Sequence, residues 1–266
     1  MPRSPDAATS QGRSSSDDGR RADVVIFGLP RSGSTLLANL LTTPPKRWII
    51  VEPGITRGGM EELVRRQAEN FGLTMDEREW HAEPSPLNRF DSLLAPRLAE
   101  LERWGIKEVN PTGVLDALKL LRPVRLILTT RDPRAAAASG LRKLDRRRRA
   151  DQDDEWWRQR LHESARLAID LRRSWAGDRL RVVRFESLVA DESARKDLES
   201  WLDWPLDGAP ERGLELYNRL DEVAKHGGQL TSKSLTTPPQ DSPRISAFAD
   251  RFHEEAVDYR REFGYD

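Results

Sequence analysis

The chain has no cysteine, only four histidines and three tyrosines in 266 residues, and no formal net charge. Without thiols it can build neither disulfides nor thiolate metal sites, and the histidines lack paired ligand spacing, so a zinc centre is not expected. Lysines and arginines number 44 and so do the acidic residues, so no overall field draws the protein onto nucleic acid or a membrane surface. Any basic site must be local. No apolar run approaches the length of a bilayer span, and Met1 to Arg21 lacks the hydrophobic centre of a signal peptide, so the expected location is cytoplasmic. No heptads and no single broad apolar stripe announce a dimer seam, which leaves the oligomeric state open. No internal repeat is visible.

What remains has a clear organisation. Residues 1–21 are rich in Ser, Asp, Arg, Gly and Pro and have too little apolar content to offset ordering; they read as a tail. Residues 22–266 are long enough for one sizeable core and read as one domain. Short apolar runs suited to strands occur at Val24 to Phe27, Trp48 to Val51, Ile106 to Val109, Val124 to Thr130 and Arg181 to Phe185. Helical patterns lie between them, at Gly59 to Gly72, Leu87 to Trp104, Thr112 to Leu121 and, longest, Asp153 to Trp175. Strands alternating with helices predict an α/β fold of the P-loop type, three layers with a mainly parallel sheet flanked by helices.

The first strand leads into Gly28-Leu-Pro-Arg-Ser-Gly-Ser-Thr35. Gly28, Gly33 and Thr35 occupy the fixed positions of the phosphate-binding loop G-x-x-x-x-G-K-[ST], but Ser34 stands where the lysine belongs. Strand, turn and helix place free backbone N–H groups around one anion, and the helix N-terminus adds partial positive charge. In nucleoside triphosphatases the loop lysine reaches the β- and γ-phosphates while Mg²⁺ is held nearby. Here the cation is Arg31, whose guanidinium can fork across two oxygens and stabilise a leaving phosphate without a metal.

Pro30 to Leu37 resembles the 5′-phosphosulfate loop of sulfotransferases that use 3′-phosphoadenosine 5′-phosphosulfate (PAPS), in which lysine or arginine takes the place of Arg31. Leu126 to Ser139 resembles the family's 3′-phosphate motif: an apolar strand, Arg131 at its end, and Ser139 eight positions later. Leu180 to Val189 is similar to the strand and turn these enzymes carry after their long middle helix, and Phe263-Gly-Tyr265 to their usual ending. The resemblance implies a PAPS-dependent sulfotransferase that moves a sulfuryl group to a hydroxyl of a carbohydrate or small-molecule acceptor and releases 3′,5′-adenosine bisphosphate (PAP), without metal. No nucleic acid or membrane is implied as a partner. Arg31, Ser32, Gly33, Ser34 and Thr35 would hold the phosphosulfate, and Arg131 with Ser139 the 3′-phosphate. Ser139 would also restrain the loop cation until acceptor arrives.

The base is implied in the same way. Val51-Glu-Pro53 resembles the carboxylate-proline segment after the second strand of carbohydrate-type sulfotransferases, which makes Glu52 the first candidate. A carboxylate beside sulfate oxygens titrates closer to neutrality through repulsion, as a base requires. His81 is the rival, because cytosolic enzymes acting on phenols and steroids use histidine, but it lies in a polar segment away from any strand end. Lys107 resembles a third-strand lysine of related enzymes and could steady the leaving group, while Glu108 and Glu186 read as structural. Lys233 and Ser234, in a polar glycine-containing stretch, would complete the nucleotide pocket, although that stretch departs from the family's R-K-G pattern. The run Arg142 to Arg149 and the acidic Asp151 to Glu155 read as a solvated helix face, and Trp156 or Trp157 as core. Two alternatives stay open: a nucleotide-dependent kinase with a degenerate loop, and a nucleotide-binding protein that has lost transfer.

Overall fold

The computed structural model describes residues 21–58, 61–147, 153–175, 177–206, 212 and 241–266. Among them are five strands: β1 Val24–Gly28, β2 Arg47–Val51, β3 Arg103–Lys107, β4 Arg125–Thr130 and β5 Leu180–Arg184. All pair in parallel, in the order β2-β3-β1-β4-β5. The α/β architecture expected from the alternation is therefore present, with an entirely parallel sheet.

Side chains alternate across the strands and bury on both faces, as a parallel sheet demands. Val25 and Phe27 join Trp48 and Ile50 in one core, whereas Val24 and Ile26 join Ile49 and Val51 in the other. The first core is closed by α6 (Pro111–Leu121), α7 (Pro133–Arg147), α8 (Asp154–Ser174), α11 (Pro243–Glu255) and α12 (Val257–Phe263). The second is closed by α1 (Ser34–Leu41), α9 (Phe185–Ala190) and α10 (Glu192–Leu202). Between β2 and β3 lie α2 (Glu61–Phe71), α3 (Glu77–Ala82), α4 (Pro86–Arg89) and α5 (Ala95–Leu98). The chain leaves β1 toward β2 on one side and leaves β4 toward β5 on the other. The carboxyl ends of β1 and β4 thus flank the crevice where open parallel sheets bind ligands.

Most of the longer helices start on a side-chain cap. Asn110 accepts from the amides of Thr112 and Gly113 ahead of α6, Asp153 from Trp156 ahead of α8, Asp191 from Ser193 and Ala194 ahead of α10, and Ser242 from Ile245 ahead of α11. α1 has none: its N-cap is Gly33, at φ 81°, and no side chain caps its first turn. Of these five helices it alone leaves its first-turn amides without a side-chain acceptor among the described residues.

Three sequence expectations need correction. Leu87 to Trp104 is not one helix: α4 passes into a wide turn at Phe90–Leu94, in which the Ala95 amide bonds the Phe90 carbonyl, and α5 then ends at Leu98. Pro96, which has no amide to donate, accounts for the widened turn. Trp104 belongs instead to β3, which begins at Arg103 and closes at Lys107 rather than running from Ile106 to Val109. Gly105 hides this strand in the sequence, yet a Cβ there would lie 2.3 Å from the Val24 carbonyl oxygen of β1. Close approach of two central strands selects the glycine. Phe185, expected to end β5, begins α9.

Candidate active site

The loop after β1 turns at two left-handed residues, Arg31 (φ 73°) and Gly33 (φ 81°). At Gly33 the ring of Phe185 fills the space a side chain would need, since a Cβ would come within 2.4 Å of Phe185 Cδ2. Ser32 is turned inward: its amide donates to the Leu29 carbonyl (3.0 Å) and its hydroxyl pairs with that of Thr129 (2.7 Å) on β4. Loop and strand are thereby fixed to each other. Ser34 is buried at the start of α1, and Thr35 is half-buried.

Arg31 and the two residues of the second motif meet. Arg31 Nε donates to Ser139 Oγ at 3.2 Å, and Arg131 Nη1 donates to the Arg31 carbonyl at 3.1 Å. The Arg131 guanidinium lies over the Phe185 ring, 4.2 Å from its centroid. Burial pulls Arg131 below its ordinary value, and the nearby Glu186 carboxylate opposes that shift. Glu186 is held in turn: it accepts from the Asp132 amide (3.1 Å) and from the Tyr265 hydroxyl (3.1 Å), and Tyr265 also bonds Thr130 (3.2 Å). Asp132 caps α7 through the Ala135 amide (2.7 Å). The end of the chain therefore braces the turn that aims Arg131.

A second group lies at the ends of β2 and β3. Lys107 is 2% exposed, and its Nζ is 2.5 Å from Glu52 Oε1, while the Glu52 amide donates to the Lys107 carbonyl at 2.7 Å. Glu52 too has a left-handed backbone (φ 52°). Its neighbour Gln67 on α2 bonds both the amide (2.7 Å) and the carbonyl (2.8 Å) of Val51, fixing the end of β2. Glu108 is buried and accepts from the amides of Val109 (2.8 Å) and Asn110 (3.0 Å). Burial pushes its carboxyl above the usual carboxylate value, with those two amides opposing and Glu52 adding to the rise.

Other sequence candidates sit elsewhere. His81 is on α3 with its side chain 61% exposed, and its ion-pair neighbour is Glu77 at 3.9 Å. Lys233 and Ser234 lie outside the described residues. Trp157 is buried and Trp156 partly so. From the arginine run, Arg142 pairs with Asp241. Three contributors were missed. Phe185 lies beneath both Gly33 and Arg131, Thr129 locks Ser32, and the half-buried Arg160 on α8 is pulled below its ordinary value by burial, with the charges of Glu52 and Glu108 opposing. Nothing local marks Phe185 or Thr129, because their roles come from strand pairing alone. Arg160 was lost among the many charges of a long helix.

The apolar lengths of the described helices are too short to cross a membrane. No curated protein matches the chain in sequence. In structure it is similar to the sulfotransferase domain of the Synechococcus PCC 7002 olefin synthase, with a TM-score of 0.60, 22% identity, and coverage of 92% of this chain and 95% of that one. It is also similar to the sulfotransferase domain from the curacin biosynthetic pathway, with a TM-score of 0.58, 15% identity, and coverage of 89% and 98% respectively. The sequence model of the sulfotransferase family matches residues 23–208, a span that runs from β1 past α10 and takes in both arginine-bearing turns and the Glu52–Lys107 pair. The chain belongs to the sulfotransferase family, and it is an enzyme of sulfuryl transfer.

Proposed function

We propose that the protein transfers a sulfuryl group from PAPS to a hydroxyl of a small-molecule or carbohydrate acceptor, with Glu52 as base. One observation carries this reading: Arg31 is joined to Ser139 and Arg131 of the distant second motif by hydrogen bonds of 3.2 and 3.1 Å at the crevice between β1 and β4. The donor fits what is there. The uncapped first turn of α1 offers amides to the 5′-phosphosulfate, and Arg131, with neutral contacts to a carbonyl and a ring, offers a partly desolvated cation to the 3′-phosphate.

In the reaction the acceptor oxygen approaches sulfur opposite the bridging oxygen. The new O–S bond forms as the bridging O–S bond breaks, and the acceptor proton passes to Glu52. Charge that develops on the departing phosphate is met by Arg31, by the amides of Gly33 to Thr35 and by the hydroxyls of Ser34 and Thr35. Ser139 holds Arg31 back from that oxygen before transfer. Lys107 orients Glu52 and keeps its charge compensated in the dry end of β3.

Calorimetric titration with PAP in EDTA, on the wild type and Arg131→Ala, tests the donor side. PAP is expected to bind without metal, and Arg131→Ala to weaken it by about 2 kcal/mol, roughly 30-fold. Binding of ATP with Mg²⁺ and indifference to PAP would overturn the reading and favour a kinase.

A further inference from the structure

Where β5 passes into α9, three consecutive residues meet the surroundings of Arg131. Strand pairing sets Arg184, the end of β5, opposite Thr130, the end of β4. Phe185 lies under the Arg131 guanidinium, 4.2 Å from centroid to Cζ, and Glu186 accepts from the Asp132 amide at 3.1 Å. These two act on the turn directly. Arg184 is exposed and reaches the other way, over the end of the chain.

The Arg184 guanidinium donates through Nη2 to the Phe263 carbonyl and to the Gly264 carbonyl (2.6 Å), and it lies over the Tyr265 ring at 4.8 Å from the centroid. Gly264 ends α12 in left-handed backbone (φ 69°), and a Cβ there would come within 2.5 Å of Arg184 Nη2. A cation on the last carbonyls of a helix is favourable in itself. Here it also decides where the next residue lies. Tyr265 stacks on the buried Tyr259, with 6.3 Å between centroids and 3° between planes, and its hydroxyl returns to Thr130 (3.2 Å) and Glu186 (3.1 Å). The contacts close a ring that runs from Thr130 to Tyr265, from Tyr265 to Arg184, and from Arg184 back to Thr130 through strand pairing. Arg131 follows Thr130 directly, so this ring fixes the backbone from which its guanidinium projects.

The residues on either side of Tyr265 have other ties. Glu262 pairs with Arg172 (3.3 Å) and Arg173 (2.8 Å) of α8, and Asp266 with Arg260 (3.2 Å), whereas Arg184 lies on the Tyr265 ring itself. An arginine on an edge strand also discourages pairing with another chain, but that role needs no bonds to two carbonyls.

We propose that Arg184 is a positioning residue for the 3′-phosphate. It holds the chain end so that the Tyr265 hydroxyl stays on Thr130 and Glu186, and so sets how strongly Arg131 distinguishes a nucleotide that carries a 3′-phosphate from one that does not. The inference rests on Arg131 meeting the 3′-phosphate. Its consequence is that donor selectivity is set from the outer edge of the sheet, by a side chain whose bonds go to the chain's own end.

Calorimetric titrations with PAP and with adenosine 5′-monophosphate (AMP), which lacks the 3′-phosphate, give the preference as a ratio of Kd values. Wild type, Arg184→Gln, Arg184→Lys, Tyr265→Phe and the double variant Arg184→Gln/Tyr265→Phe are compared, with thermal unfolding followed in each. Gly264→Ala is added because its methyl group displaces the guanidinium from the chain-end side. The wild type is expected to bind PAP well ahead of AMP. Arg184→Gln and Gly264→Ala should each cut the ratio about fivefold, through PAP, and leave AMP within about twofold. Arg184→Lys should fall in between, since an ammonium keeps the charge and loses the fork. Arg184 and Tyr265 act in series, so the double variant should lose no more than the larger single loss. Should Arg184→Gln fail to fold, Arg184→Lys and Gly264→Ala carry the same comparison. Equal losses for PAP and AMP, an unchanged ratio, or losses that multiply in the double variant would overturn the proposal and leave the donor site in place. A wild type that does not bind PAP, or binds AMP as well as PAP, would instead overturn the assignment of Arg131 to the 3′-phosphate, and this inference with it.

Discussion

The two halves of the site handle charge in opposite ways. At the crevice between β1 and β4, Arg31 donates to a hydroxyl and Arg131 to a carbonyl while lying over a ring. At the ends of β2 and β3, Lys107 sits against a carboxylate at 2.5 Å and is 2% exposed. The first half gathers two guanidiniums and gains most from receiving a polyanion. The second is already an ion pair, suited to moving a proton without importing charge. Both halves turn on a non-glycine residue in left-handed backbone, Arg31 and Glu52. Among the described residues the other two, Arg122 and Asp203, sit at helix C-terminal caps, where this conformation is ordinary. At Arg31 and Glu52 it costs about 1–2 kcal/mol each and is maintained by the surrounding packing, the pattern of a functional turn.

The sharpest way to separate the halves is Glu52→Gln. If Glu52 is the base, kcat falls by roughly 10²- to 10⁴-fold while PAP affinity holds. The substitution also leaves the buried Lys107 facing an amide, so the melting temperature falls as well, and turnover is referred to the fraction that binds PAP. A kcat unchanged in that fraction would remove Glu52 from the chemistry and dissolve the contrast. The complementary change is Tyr265→Phe, which removes the hydroxyl bonded to Thr130 and Glu186 and so loosens the brace behind Arg131. The expected loss is about 1 kcal/mol, roughly fivefold in PAP affinity, with kcat at saturating donor unaltered. A fall in kcat instead would show that the donor brace reaches the base half.

Much of this arrangement was legible in the sequence, for identifiable reasons. The loop from Gly28 to Thr35 is a local pattern in which backbone geometry dictates residue type, so it reads directly, and the Arg131–Ser139 spacing reads through its resemblance to the family's 3′-phosphate motif. Glu52 and Lys107 were each visible as strand-end residues, but their contact depends on the register that sets Val51 opposite Lys107. β3 itself was misplaced because Gly105, demanded by its neighbour strand, interrupts the apolar run. Phe185 was invisible as a site residue for the same reason: its partners, Gly33 and Arg131, are defined only once β4 and β5 pair. Arg160 shows the converse difficulty, since in a helix dense with charge only packing tells which arginine is turned inward.

The smallest expected effect probes whether the halves are as independent as the contrast implies, because one carboxylate ties their supports together. Glu255 at the end of α11 meets Arg158 (3.1 Å) and His162 (2.8 Å) on α8 and Arg251 (2.9 Å) on its own helix. α8 packs on β1 and α6, and α11 leads through α12 to Tyr265, which bonds Thr130 and Glu186 behind Arg131. Burial raises the carboxyl, but the bonds from His162, Arg251 and Arg158 together outweigh it and hold Glu255 down at about 2 from an ordinary 4.5. A carboxylate whose folded value is depressed contributes stability above its unfolded value and loses it as pH falls through the folded one. Glu255→Gln should therefore melt lower than wild type at neutral pH, and the gap should close between pH 4.5 and about 2. A gap that persists below that window would mean the carboxylate charge is not what joins α8 to α11. Measured at neutral pH, a rise in PAP Kd without a change in acceptor KM would place the clamp with the donor half. A change in both would show that the two halves share one support.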